Sequence, residues 1–160
     1  MSSKLLVTLR VKAAPERVFS AFVEEIGAWW RPNPLFRFTP GGPGVLSFEL
    51  PDGKGRGGRL VETLLNGEVF EVGRIRVWEP PHRLVVGWRQ ASFAPDQDTE
   101  VEVRFEAVDG GETRISVEHT GWDSVPIDHV ARHGFPLGVF LQRHGEWWRA
   151  LLSSMNTRLE

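Results

Sequence analysis

The stretch PLGVFLQRHGEWWRALLSSMNTRL, Pro136 to Leu159, decides the fold, because it alone reads as a long helix in a chain that otherwise reads mostly as strands. Trp148, Leu152, Met155 and Leu159 follow one another at spacings of four, three and four, which places them on one face of a 3.6-residue helix. Leu151 and Phe140 widen that stripe, and Arg143, Glu146, Arg149, Ser153 and Arg158 take the solvated side. Pro136 suits a first helical turn, whereas Gly138 and Gly145 each weaken the first half by about 1 kcal/mol relative to Ala. Such an apolar face needs a partner, and the expected partner is a sheet that curls around it.

The chain before this helix supplies the strands. Leu5, Val7, Leu9 and Val11 alternate with Thr8, Arg10 and Lys12 as in a half-buried strand. Ala14-Pro15-Glu16 then opens a helix with Val18, Phe19, Phe22 and Val23 on its buried face, and Glu24 to Trp30 reads as a second short helical piece that Arg31-Pro32-Asn33-Pro34 ends. Extended patterns follow over Val45 to Leu50, Arg59 to Leu65, Val69 to Trp78, Leu84 to Trp88, Val101 to Phe105 and Thr113 to His119. They are separated by turn signals at Pro51-Asp52-Gly53, Asn66-Gly67, Glu79-Pro80-Pro81-His82 and Asp109-Gly110-Gly111. Short turns between consecutive strands argue for an antiparallel meander with one wet face, whose apolar face the final helix covers.

Composition bounds the function. At 160 residues with 41% hydrophobic and 25% charged residues, residues 1–160 are expected to form one domain. A net charge of −2 gives no electrostatic footprint for nucleic acid or an anionic membrane. The absence of cysteine excludes disulfides, thiolate metal sites and thiol catalysis. The N-terminal MSSKLLVTLRVK lacks the apolar core of a signal peptide and no run of 18 apolar residues exists, so the expected location is cytoplasmic. Seven Trp and ten Phe against no Tyr suit either an apolar cavity or a dense core.

The order strand, two short helices, six strands, long helix resembles the START-like helix-grip superfamily, also called SRPBCC, to which the birch-pollen allergen fold belongs. Ala14-Pro15-Glu16-Arg17-Val18-Phe19, Trp29-Trp30, Gly73-Arg74-Ile75, Trp78 to Leu84, Thr99 to Phe105, Gly111 to Arg114 and Glu118-His119-Thr120-Gly121-Trp122 narrow the likeness. They look like the bacterial branch homologous to the activator of heat-shock-protein ATPase. The resemblance implies an α+β fold in which a seven-stranded curved antiparallel sheet wraps a long C-terminal helix, with two short helices after the first strand. It also implies a cavity between sheet and helix of the kind that accepts apolar small molecules. It does not imply one chemistry, since members are similar to lipid carriers, hormone receptors, aromatic cyclases, dehalogenase-like enzymes and co-chaperones.

The candidate lining of that cavity is Trp29, Trp30, Phe36, Phe38, Phe48, Trp88, His119, Trp122 and Trp148, with interior packing as the competing role of the rings. His119 shares a strand face with Ile115 and Val117 and is read as a core histidine, or as a polar anchor or proton donor for a ligand. His129 and His133 stand four apart, but no Glu follows the first and no third ligand is near, so no metal is expected. No nucleophile beside a His–acid pair and no carboxylate pair assigns a catalytic residue, and no cofactor is expected. The expected role is binding an apolar small molecule. The alternatives are a co-chaperone-like module using its outer sheet face, or a small cyclase- or hydrolase-like enzyme with His119 as acid–base. A symmetric dimer is the default if any oligomer forms.

Gly53-Lys54-Gly55-Arg56-Gly57-Gly58 fits the letter of G-x-G-x-x-G, yet a strand rather than a helix is expected after it, so it reads as a basic hairpin loop. Calorimetric titration with ATP or NAD should therefore give no saturable heat; saturable heat abolished by Lys54→Ala would overturn this.

Overall fold

The alternation in Leu5 to Val11 becomes strand β1, Leu5–Val11, with Leu5, Val7 and Val11 buried. The structure, a computed structural model, describes residues 4–160. Helices α1, Pro15–Glu24, and α2, Ile26–Trp29, follow, with proline at the start of α1 where no intrahelical N–H is needed. The meander comprises β2 Val45–Glu49, β3 Arg59–Thr63, β4 Val69–Glu79, β5 Arg83–Trp88, β6 Thr99–Val108 and β7 Glu112–Thr120. Helix α3, Leu137–Leu159, closes the chain.

All seven strands form one antiparallel sheet in the order β1-β7-β6-β5-β4-β3-β2. The sheet is a seven-stranded half-barrel around α3, with α1 and α2 spanning between its edge strands. Register shifts in β3–β4 beside Leu60 and Val61, and in β4–β5 between Ile75 and Val77, insert extra residues that bend the sheet. Between them Gly73 crosses so close to β5 that a Cβ there would lie 1.7 Å from the Gly87 carbonyl oxygen. Strand β3 ends at Thr63 rather than Leu65, because Leu64 already exchanges turn bonds with Gly67 and Glu68, and Leu65 is fully exposed.

Strand parity sets the core. Val101, Val103 and Phe105 of β6, and Thr113, Ile115, Val117 and His119 of β7, are all buried and face α3 or α1. On β5 the outer-facing Val85 is buried as well. Its outer neighbourhood carries an Arg–Glu lattice: Arg83 donates to Glu102 at 2.7 Å, Arg104 pairs with the same carboxylate, and Arg76 meets Glu100 and Asp98. Arginine stems cover apolar surface while their heads stay wet. Helix α3 buries Phe140, His144, Trp147, Trp148, Leu151, Leu152 and Met155. Trp148 is completely enclosed between β5, β7 and Trp30, so Trp148→Ala should cost about 3–5 kcal/mol in denaturant unfolding; a variant melting within a degree or two of the parent would contradict this packing.

Candidate functional site

The interior end of α3 nearest the β5–β7 edge residues is a box of rings. Trp88 lies 5.4 Å from Trp148 and 5.9 Å from His119, and Trp30 lies 5.8 Å from both tryptophans. Phe38 packs on Trp30 and Trp88, and Trp29 on Trp30. Trp122 sits 5.5 Å from His119, and Phe36 enters the same box through His144 and Trp147. Phe48 makes its ring contact with Phe22 on the α1 side.

Parity on β7 turns His119 inward, and its hydrogen bonds form one directed chain. The Trp148 indole N–H donates to His119 Nδ1 at 3.4 Å, which makes Nε2 the protonated nitrogen. Nε2–H donates at 3.0 Å to the Thr99 hydroxyl, which donates in turn to the Trp88 carbonyl. Both nitrogens of His119 are therefore used inside the protein.

His144 is the residue that sequence reasoning missed. The signal was present, since Phe140, His144 and Trp148 follow at intervals of four and a histidine interrupts the apolar stripe. Its ring stacks on Phe36 at 4.2 Å and on Trp147 at 5.6 Å, and lies 4.9 Å from His119. It is fully buried, yet neither nitrogen meets a hydrogen-bond partner, and the neighbouring Trp122 Nε1 is equally unpartnered. An unsatisfied buried polar group costs about 1–3 kcal/mol. Burial pushes the His144 pKa down to about 3, and burial followed by the neighbouring His144 pushes His119 well below 6.5. Both rings are neutral at neutral pH.

The box is closed by the segment 31–44, which belongs to no strand. Pro32, Pro34, Pro40 and Pro43 deny it a ladder, so it is pinned at points. Trp147 Nε1 donates to the Arg31 carbonyl at 2.8 Å, His133 to the Leu35 carbonyl, and Ala91 N–H to the Phe38 carbonyl at 2.7 Å. Glu62, buried on β3 and also unforeseen, accepts from the Thr39 hydroxyl at 2.6 Å and from Gly44 N–H at 3.1 Å. Beneath this segment a void of about 20 Å³ is walled by Trp30, Phe36, Phe38, Leu46, Glu62 and Trp147, room for about one water. Outside it, a groove of about 250 Å³ runs between Leu35, Phe38, Pro40, Val130 and His133.

The other candidates resolve into packing. His129 donates to the Ser92 carbonyl and accepts from Ala131 N–H, His133 holds Leu35, and no group of three metal-ligating side chains exists among the described residues. Strand β3 does follow the glycine loop, where Gly55 lies so close to Trp78 that a Cβ would overlap the indole at 2.0 Å. Among the described residues no helix is long and apolar enough to cross a membrane.

A family model described as Activator of Hsp90 ATPase homolog 1-like protein matches residues 12–159. No curated protein matches the chain. Among solved structures, an HSP90 activator from Plasmodium falciparum is 18% identical with a TM-score of 0.64, over 98% of this chain and 95% of that one. CalC from Micromonospora echinospora, described as a self-sacrificing resistance protein, is 28% identical with a TM-score of 0.59, over 97% and 92%. The anthrahydroquino-gamma-pyrone synthase Txn09, complexed with SUM, is 26% identical with a TM-score of 0.54, over 94% and 96%.

The two neutral histidines set a pH dependence with a definite sign. Below about pH 6.5 the unfolded chain takes up protons that the folded box refuses, so stability is complete above that value and falls as pH drops toward the folded pKa of about 3 for His144. Each histidine contributes about 1.4 kcal/mol per pH unit, so denaturant unfolding should lose about 2–3 kcal/mol between about pH 6 and 5. His144→Phe should halve that slope. A parent stability flat across this window would contradict the burial of both rings.

Proposed function

Because the chain belongs to the family of Activator of Hsp90 ATPase homolog 1-like proteins, whose fold also serves a synthase and a resistance protein, we propose that it binds an apolar, aromatic small molecule between sheet and α3. The observation that carries this reading is the unpartnered polar pair inside an otherwise apolar box: His144, with both nitrogens free, beside Trp122 Nε1. Packing alone does not call for these groups there, whereas a ligand hydroxyl or carbonyl gives them partners. Trp30, Trp88, Trp122 and Trp148 are its walls, His144 its polar contact, and His119 the group that holds Trp148 in place. Entry requires displacement of the segment 31–44, since the closed interior is far below the roughly 300 Å³ a ligand occupies. The cytoplasm is its proposed compartment, which a chain without cysteine suits.

That small void favours a second reading, a co-chaperone-like module that meets an Hsp90-type ATPase, as the family description and the Plasmodium relative suggest. A filled core serves such a module without change.

A panel of aromatic alcohols and their parent hydrocarbons separates the two. A bound ligand should quench tryptophan emission and, at about 100 times its dissociation constant, add about 2.7 kcal/mol of stability, or about 5–11 °C in Tm. His144→Phe should weaken the alcohols about 2- to 10-fold and leave the hydrocarbons unchanged. No quenching and no shift across the panel would reject the small-molecule reading in favour of the chaperone partner.

A further inference from the structure

Phe36, like Phe38, reaches the box from the closing segment rather than from a strand or an α-helix. It sits on a single 3₁₀ turn, Pro34–Phe36, shaped by Asn33, whose side chain accepts from Leu35 N–H at 2.9 Å. Its ring is nearly parallel to two others: 19° from His144 at 4.2 Å and 20° from Trp147 at 5.1 Å. His144 and Trp147, one helical turn apart on α3, are themselves only 13° from parallel. The helix thus presents two nearly parallel ring faces, and a ring borrowed from the closing segment lies within stacking distance of both. The remaining partners of that ring are Phe140, edge-on at 5.6 Å, and the 20 Å³ void. The segment holding Phe36 is anchored by single hydrogen bonds rather than by a ladder, and the solvent groove lies on its other side.

Resting on the small-molecule reading above, we infer that Phe36 is an intramolecular stand-in for the ligand. The natural occupant is a planar aromatic ring system. It displaces Phe36 outward and stacks on the faces of His144 and Trp147. Planarity follows from these faces, because a flat ring meets both at stacking distance, which a puckered ring does not. The closed state lowers apparent affinity by the fraction of molecules in which Phe36 is out.

The test compares 2-naphthol with decahydro-2-naphthol, which keeps the carbon skeleton and hydroxyl but loses the flat ring, by calorimetry on parent and Phe36→Ala. Removing the competing ring should tighten 2-naphthol binding by about ten- to a hundredfold, the scale set by burying one Phe side chain, and the saturated analogue should bind more weakly to both proteins. In the parent, 2-naphthol should also speed tryptic cleavage after Arg37 as the segment swings out, a readout that stands if Phe36→Ala folds poorly. If 2-naphthol binds the parent but Phe36→Ala leaves its affinity unchanged, or the saturated analogue binds equally well, or cleavage after Arg37 is unchanged or slowed, the stand-in role is overturned while small-molecule binding survives. If neither compound binds parent or variant, the binding reading itself falls.

Discussion

The hydrogen bond from the Trp148 indole to His119 joins helix to sheet, and much of the structure depends on it. A buried indole N–H needs an acceptor, and His119 Nδ1 can accept only while Nε2–H has its own acceptor in Thr99. Thr99 in turn gives its proton to the backbone of β5. Each link is satisfied only in one strand register, because a slip of one residue on β7 would turn His119 to the outer face and leave Trp148 unpaired. The position of α3 and the pairing of β5, β6 and β7 are therefore one condition rather than two.

The features that periodicity governs were legible before any coordinates. Seven strands, two short helices and the helix from Leu137 follow from alternation, proline placement and the stripe through Trp148, since each is a local rule. The inward turn of His119 was equally a matter of parity. Three features were not legible. His144 lay on the apolar stripe, but a single polar residue there does not announce whether it faces in. Glu62 follows Leu60 and Val61 on a strand whose pairing shifts, so parity fails at that point. The segment 31–44 carries no period, because its prolines remove the backbone groups that a period would organise, and its position is set by distant partners such as Trp147, Ala91 and Glu62.

These two kinds of residue meet at the candidate site. Most of the walls are periodic residues on strands and helices, while the cover is an aperiodic stretch held by scattered hydrogen bonds. Elements held in that way open at lower free-energy cost than strands inside a ladder. A rigid box under a cover that no ladder holds would reconcile a nearly filled interior with the proposed binding role, because Phe36 of the cover fills part of the space that a ligand would need. Besides Arg132 Nε, the buried polar atoms without partners belong to two wall residues, His144 on α3 and Trp122 on the turn after β7.

The charge of any occupant follows from the same inventory. His119 and His144 are both neutral, held so by burial, and offer no cation. The buried arginine at this end of α3, Arg132, spends two guanidinium nitrogens on the carbonyls of Val125 and Phe135, leaves Nε unpartnered, and lies over Phe140 rather than over the His144–Trp147 faces. The buried carboxyl group of Glu62 is bonded to the cover rather than directed at those faces. An ionised ligand entering the box would lose its hydration and find no opposite charge, a penalty of several kcal/mol that stacking on two rings does not offset. A neutral group loses far less, and a hydrogen bond to His144 returns most of it. On the proposed binding reading the box selects by charge state as well as by shape, and a phenol is expected to bind there in its protonated form.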